Sequence, residues 1–111
     1  MSRILDVGAI QARLRQFAAE RDWEKYHTPK NLAMALAAEA GELLDIFQWL
    51  TPDESAVVMT DPDTAEAVRM EIGDILVYLM RIADVLGVGL ESTIKETLVR
   101  NANRFPPTVD R

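Results

Sequence analysis

The sequence predicts an all-α protein, and three observations lead to this fold class. Apolar residues recur at steps of three and four along two long segments, which is the spacing of one face of a helix. Both segments begin at a pair that suits a helix start, Thr28-Pro29 and Asp61-Pro62, with a capping side chain before a proline. No segment alternates apolar and polar residues as a half-buried strand does. We therefore expect a helical bundle, formed by residues 1–111 as a single domain.

The periodicity, the capping residues and the helix breakers give the order of elements. The chain begins with a helix over about residues 6–21, followed by a loop over 22–28 and a helix over 29–50. Residues 51–60 form at most a short helical turn. A long helix over 62–86 and a last helix over about 90–103 follow. The two long helices are each roughly 30 Å at 1.5 Å per residue. A chain of 111 residues is too short to cover the apolar seams of both. We expect self-association, with a dimer completing the core of a four-helix bundle.

Composition argues against several classes of protein. The formal net charge of −6 does not suit a general nucleic-acid surface or an anionic membrane surface. With no cysteine and one histidine, a bound metal would take oxygen ligands, which suit Mg²⁺ or Mn²⁺. No apolar run reaches the ~18 residues of a membrane span, and Asp6 interrupts the stretch where a signal peptide would be apolar. We expect a cytoplasmic protein.

Four acidic residues lie on or beside the apolar faces of the two long helices. Glu39 occupies a position of the apolar stripe of the first, and Glu42 follows about one turn later. Glu71 and Asp74 lie beside the seam of the second. Buried carboxylates should be neutralised, paired or bound to metal, and opposed helices would bring all four acids together around a divalent ion. The seam of the second long helix consists of Val68, Ile72, Ile75, Leu79, Ile82 and Leu86.

A plainer interpretation of the acids stays open, namely that they are solvated or paired with Arg69 and Arg81. A ferritin-like di-iron site is excluded. That class needs Glu-x-x-His on two helices, and no histidine follows any of these glutamates.

Aromatic residues close to the acids are candidates for contact with a flat ligand. Trp23, Trp49 and Tyr78 could stack on a nucleobase, and each could equally fill the core. Trp49 falls on the Glu42 side of its helix, whereas Tyr78 falls on the Glu71 side of the other. The shared faces favour a common site.

Polar residues at helix ends are weaker candidates. Lys30 and Asn31 lie in the first turn of a helix, where backbone N–H groups and the helix dipole favour an anion. His27 could be a ligand contact or a capping residue. Asn101 and Arg104 could reach a ligand or remain solvated at the end of the last helix.

Four stretches, in this order, resemble the MazG-like all-α nucleoside triphosphate pyrophosphohydrolases, and among these the dCTP pyrophosphatase branch. The stretches are FAAERDWEKYHTPKNL at 17–32, EAGELLDIFQW at 39–49, EIGDILVYL at 71–79 and NANRFP at 101–106. The resemblance spans about residues 10–106. It implies Mg²⁺-dependent cleavage between the α- and β-phosphates of a nucleoside triphosphate, with dCTP or a modified dCTP as the substrate, in a house-cleaning role. It also implies a homodimer or homotetramer with pockets where subunits meet.

The resemblance assigns roles to individual residues. The metal ligands would be Glu39, Glu42, Glu71 and Asp74. Asp45 would serve a second metal or orient water, and Glu39 or Glu42 would accept the proton of the attacking water. The nucleotide pocket would be lined by Trp23, Trp49, Tyr78 and Asn101, with Lys30 and Arg104 towards the phosphates.

Two positions depart from the family pattern. Thr97 stands where the family usually has a lysine, which bears on phosphate contacts, and Leu14 stands where animal dCTP pyrophosphatases carry a histidine near the base. The alternative to an enzyme is a helical oligomerisation or nucleotide-sensing module without catalytic activity.

Overall fold

The computed structural model describes residues 4–108, and its regular elements there are all helical. The α-helices are α1 (Val7–Glu20), α2 (Pro29–Phe47), α3 (Pro52–Ala56), α4 (Pro62–Leu86) and α5 (Leu90–Arg104). Single 3₁₀ turns lie at Glu24–Tyr26 and Val58–Thr60. The predicted all-α fold is confirmed.

Local signals in the sequence account for the starts of both long helices. The Thr28 hydroxyl accepts a hydrogen bond from the Asn31 N–H at 3.2 Å, and Pro29 follows as the first residue of α2. The Asp61 carboxylate accepts from the Thr64 N–H at 3.0 Å at the start of α4. Gly87 ends α4 with φ of 70°, a left-handed conformation that glycine adopts without steric cost. These local contacts fix where both helices begin and where α4 ends.

The packing of α2 against α4 forms the centre of the molecule, and α1 also packs on α4. Leu32 of α2 is 2% exposed, and Ala65 and Val68 of α4 are also buried. Ala18 of α1 is fully buried. Gln11 ties α1 to α4 by donating its side-chain N–H to the Met80 carbonyl at 2.9 Å. This arrangement brings the acidic turns of α2 and α4 side by side.

The structure differs from the sequence-based expectations in two places. Residues 51–60 form α3 and a 3₁₀ turn, stabilised by a capping box in which Thr51 and Glu54 bond each other's backbone N–H. Helix α2 ends at Phe47, because residues 48–50 turn away. As expected for a chain too short to cover both apolar seams, the seam of α4 is partly uncovered, and Ile72 and Leu86 are 46% and 56% exposed.

In the part of the chain that the structure describes, none of the helices carries an apolar stretch long enough to cross a membrane.

Candidate functional site

Three of the predicted metal ligands come together where α2 packs on α4. Glu39 and Glu42 lie about one turn apart on α2, and Glu71 faces them from α4. One carboxylate oxygen of each lies within 4.8 Å of the other two. Glu39 and Glu71 are half-buried, whereas Glu42 is exposed. The cluster is therefore open to solvent on the Glu42 side.

The electrostatics of this cluster suit a cation. The Glu71 carboxyl beside Glu39 raises the pKa of Glu39 above its usual value of 4.5, and burial and the charge of Asp74 act in the same direction. The nearby Glu42 acts in the opposite direction. The buried Oε2 atoms of Glu39 and Glu71 have no hydrogen-bond partner. A proton shared between these two carboxyls would relieve part of the repulsion, and a divalent ion would relieve more of it.

The residues present fit such an ion. Mg²⁺ prefers oxygen ligands at roughly 2.0–2.1 Å in an octahedron, and it often binds one or two carboxylates while keeping several waters. Neighbouring oxygens of that octahedron are roughly 3 Å apart and opposite ones roughly 4 Å apart. The oxygen spacing within 4.8 Å is close to that range.

The two other acids of the predicted site lie outside this group of three. Asp74 is near enough for its charge to raise the pKa of Glu39, but none of its oxygens joins the cluster of oxygens within 4.8 Å. Asp45 accepts a hydrogen bond from the Gln48 side chain at 3.0 Å on the exposed surface of α2. Both stay available for a larger site.

A small aromatic cavity lies between α1, the segment over residues 22–28 and α4. Its volume is about 210 Å³. The lining residues are Leu14, Phe17, Trp23, His27, Val77, Tyr78 and Arg81. The volume is below the ~300–1,000 Å³ of sites that enclose drug-sized ligands, so it suits a single heteroaromatic ring. Tyr78 lies one turn from Asp74 on α4, which places the cavity next to the acids along that helix.

The aromatic side chains of this cavity contact one another. The rings of Phe17 and Trp23 meet edge to face with centroids 5.6 Å apart. The His27 ring is tilted 57° to that of Trp23 at 6.2 Å. The Arg21 guanidinium lies over the Phe17 ring, 3.4 Å from its centroid. These contacts join α1 and the segment over residues 22–28 into one wall of the cavity, and α4 provides the opposite wall.

His27 and Arg81 form the polar end of the cavity. The Arg81 Nε–H donates to His27 Nδ1 at 3.1 Å. Arg81 is 7% exposed and its Nη1 lies 3.6 Å from the Asp84 carboxylate. Burial, and secondarily the Arg81 charge, lower the pKa of His27 below its usual value of 6.5. His27 is therefore neutral at neutral pH.

The remaining predicted site residues do not line this cavity in the single chain. Trp49 follows α2 and is 86% exposed. The Asn31 side chain donates to the Tyr26 carbonyl at 2.9 Å, and Lys30 is exposed beside it. On α5, Asn101 is half-buried and the Arg104 guanidinium lies 4.9 Å from the Phe105 ring centroid. Their roles in a site stay predictions.

The position of Arg81 in the wall of the cavity was not predicted from the sequence, where Arg81 was considered only as a partner of the acids. Its spacing from Tyr78 could have drawn attention to it, because residues three apart share a helix face. Its partner His27 lies 54 positions away in sequence, and helical spacing carries no information about such a contact.

The fold and the acidic cluster define a class: all-α proteins whose central helix pair carries a group of carboxylates beside an aromatic cavity. The sequence model of the MazG-like family matches residues 34–108. The chain belongs to the MazG-like family, which confirms the resemblance predicted from its motifs.

Named relatives agree with this assignment. Over 96 residues, or 86% of the chain, it is 38% identical to dCTP pyrophosphatase 1 of Mus musculus and to that of Homo sapiens. The chain spans about 56% of the length of these relatives. The crystal structure of a pyrophosphatase from Archaeoglobus fulgidus matches with a TM-score of 0.84 and 34% identity, covering 96% of this chain and 98% of that one.

Proposed function

We propose that this protein is a Mg²⁺-dependent nucleoside triphosphate pyrophosphohydrolase, in which Mn²⁺ can substitute. The reaction splits the bond between the α- and β-phosphates to give a nucleoside monophosphate and pyrophosphate. The substrate is dCTP or a modified dCTP. The observation that carries the proposal is the group of three carboxylates with two buried, unpartnered oxygens beside an aromatic cavity. The names of the relatives support the substrate class.

The three clustered acids, with Asp74 beside them, would hold the ion. When bound, Mg²⁺ supplies a lowered pKa for the attacking water and charge stabilisation on the phosphate oxygens. Without cations, a chain of net charge −6 would repel a triphosphate. The acidic cluster thus serves a phosphate substrate only together with metal.

Side chains of the chain itself would move the proton and hold the nucleotide. Glu39 or Glu42 would accept the proton of the attacking water, and the raised pKa of Glu39 brings it closer to neutral pH, where a general base works best. Asp45 would orient water or serve a second ion. Trp23 and Tyr78 would stack on the base in the aromatic cavity.

The outlying residues would complete the nucleotide site. Lys30 and Arg104 would meet phosphate oxygens, with Asn31 holding the first turn of α2 in place through the Tyr26 carbonyl. Trp49 and Asn101 would close over the nucleotide. Since Trp49 is 86% exposed in one chain, it would do so in the pocket of another subunit.

A homodimer or homotetramer is part of the proposal. The radius of gyration is 17.4 Å, compared with ~13 Å for a compact chain of about 100 residues. Apolar side chains are exposed on α4 and α5. They include Ile72, Leu76, Leu79, Ile94, Leu98 and Val99, each between 40% and 64% exposed. A second copy would cover them, and light scattering of the purified chain tests this against a monomer.

The test of activity is pyrophosphate release from a panel of deoxynucleoside triphosphates, with MgCl₂ and with EDTA. We expect release with Mg²⁺, fastest from dCTP or a modified dCTP, and none with EDTA. Glu39→Gln and Asp74→Asn should lose turnover while the helical content stays. Glu66→Gln, an exposed acid on α4 outside the cluster, is the matched control and should keep it. No release from any nucleotide in the presence of metal would favour the module without catalytic activity.

A further inference from the structure

We propose that Arg81 is a positioning residue for the substrate. Its hydrogen bond to neutral His27 holds the segment over residues 22–28 against α4 and so fixes one wall of the aromatic cavity. Binding of the base weakens when His27 takes up a proton. The inference rests on the proposed function, because it concerns the cavity that would receive the base.

The contact has a defined direction of donation. An arginine side chain carries N–H donors and no acceptor, so the His27 Nδ1 that lies 3.1 Å from Arg81 Nε must offer its lone pair. The imidazole proton then sits on Nε2. Protonation of Nδ1 would set two donors and two cations against each other, and the contact would break.

The position of His27 makes this contact important for the wall of the cavity. The backbone N–H of His27 donates to the carbonyls of Trp23 and Glu24, both at 3.1 Å, which closes the 3₁₀ turn. Trp23, at the start of that turn, packs on Phe17 and lines the same cavity. Loss of the bond to Arg81 would therefore release Trp23 together with His27.

Arg81 is itself held rigidly. Its side chain is 7% exposed, and the Asp84 carboxylate near its Nη1 also accepts from Arg15 of α1 at 3.3 Å. Asp84 offsets the charge of the buried guanidinium. Because burial and the ion pair with Asp84 already restrict the Arg81 side chain, donating to His27 costs little further conformational entropy.

The surroundings of His27 identify which charge governs its protonation. On α4, Arg81 donates to it directly, and Tyr78 and Val77 line the same cavity. Asp84 forms an ion pair with Arg81 at 3.6 Å. On α1, the cavity residues are Leu14 and Phe17, and the Arg21 cation lies 3.4 Å from the Phe17 ring centroid. The neighbouring Lys25 is paired with Asp22 at 2.8 Å, and Glu24 contributes its carbonyl. Burial and the Arg81 charge both favour neutral His27.

The test compares three variants with the wild type between about pH 5 and 8, the range over which histidine titrates. KM and kcat for Mg²⁺-dCTP are measured at each pH. His27→Asn keeps an acceptor for Arg81 and does not titrate. Arg81→Met removes the donor. Arg69→Met makes the same change at an exposed position of the same helix and serves as the control.

We expect the wild-type KM to rise roughly tenfold towards acid pH relative to that of His27→Asn, the size of effect expected from one hydrogen bond to a charged group. The comparison removes the titration of the nucleotide and of the acidic cluster, since both are common to the two proteins. Arg81→Met should show a KM raised roughly tenfold at pH 8, with kcat changed much less. Arg69→Met should follow the wild type at every pH.

A second measurement needs no substrate. His27 is the one histidine of the chain, so ¹⁵N spectra of its ring report its protonation without assignment. We expect the proton on Nε2 in the wild type, and a higher apparent pKa in Arg81→Met, where the cation is lost.

The outcomes distinguish a failure of the Arg81 inference from a failure of the proposed enzymatic function. A wild type that hydrolyses dCTP while Arg81→Met matches Arg69→Met overturns this inference alone, as does an Nδ1–H tautomer in the wild type. If Arg81→Met fails to fold, a pH dependence of KM in His27→Asn equal to that of the wild type still overturns it. A wild type that hydrolyses no nucleotide overturns the proposed function and this inference together.

Discussion

Replacing Glu39 by glutamine should affect the metal-free and the metal-bound protein in opposite ways. The substitution keeps the shape of the side chain and removes one charge from the acidic cluster. The raised pKa of Glu39 means that the folded state disfavours its ionised form. The stability that its protonated form provides is present below the unfolded value of 4.5 and is lost as the pH rises through the raised folded pKa. At neutral pH without metal, Glu39→Gln should therefore be at least as stable as the wild type.

The metal reverses this order. Three oxygens within 4.8 Å of one another are brought together before binding, so the ion meets ligands that need little rearrangement. An ion at about 100 times its dissociation constant stabilises the folded state by about 2.7 kcal/mol. For a chain of this size that corresponds to a rise in Tm of about 10 °C. With one of three ligands neutral, the rise at the same concentration should fall below half of that value.

The assay is thermal unfolding followed by circular dichroism at pH 7, in EDTA and then in increasing MgCl₂. Glu66→Gln is the control, because Glu66 is an exposed acid of α4 outside the cluster. It should keep the wild-type rise in Tm. A Glu39→Gln protein with the full Mg²⁺ response would show that Glu39 is not a ligand of the ion. A variant much less stable than the wild type in EDTA would show that the ionised Glu39 stabilises the metal-free protein.

Three further predictions concern the core, the cavity and the pH. Leu32→Ala should lower the free energy of unfolding by about 2–5 kcal/mol in urea titrations, because Leu32 is 2% exposed; Leu44→Ala, at a 60% exposed position of the same helix, should cost much less. Trp23→Ala should raise the KM for dCTP with kcat nearly unchanged, and an equal loss in kcat would contradict a stacking role. Hydrogen bonds from Thr64 lower the pKa of Asp61 below 3.8, so its contribution is present above that value and lost as the pH falls through the lower folded pKa. Asp61→Asn should therefore lose less stability than the wild type as the pH falls. If stability falls with pH identically in the two proteins, Asp61 does not make this contribution.

The parts of the fold that could be predicted from the sequence are those with a local cause. Thr28 and Asp61 cap their helices through bonds three residues away, and Gly87 ends α4 through its own backbone conformation. The end of α2 has no such marker. Its apolar period continues to Leu50, and the chain leaves the helix at Phe47.

The site, like the fold, could be predicted only where the signal is local in sequence. Glu39 was recognisable because a glutamate stands in an apolar stripe, and the structure places it opposite Glu71 as expected. The link from Arg81 to His27 was not recognisable, because it depends on how the segment after α1 folds back onto α4. The exposure of the seam residue Ile72 was expected from the length of the chain, because 111 residues are too few to cover both apolar seams. Periodicity shows that each face is apolar, but not which surface of a second copy would cover it.

The proposed metal site is tested most directly by locating the bound ion in a crystal. Crystals grown with Mn²⁺ and a non-hydrolysable dCTP analogue would reveal the ion by its anomalous scattering. We expect a peak between the carboxylates of Glu39, Glu42 and Glu71, within bonding distance of at least two of them and next to the nucleotide phosphates. A nucleotide bound with its phosphates elsewhere, and no anomalous peak among these three side chains, would contradict the proposed site.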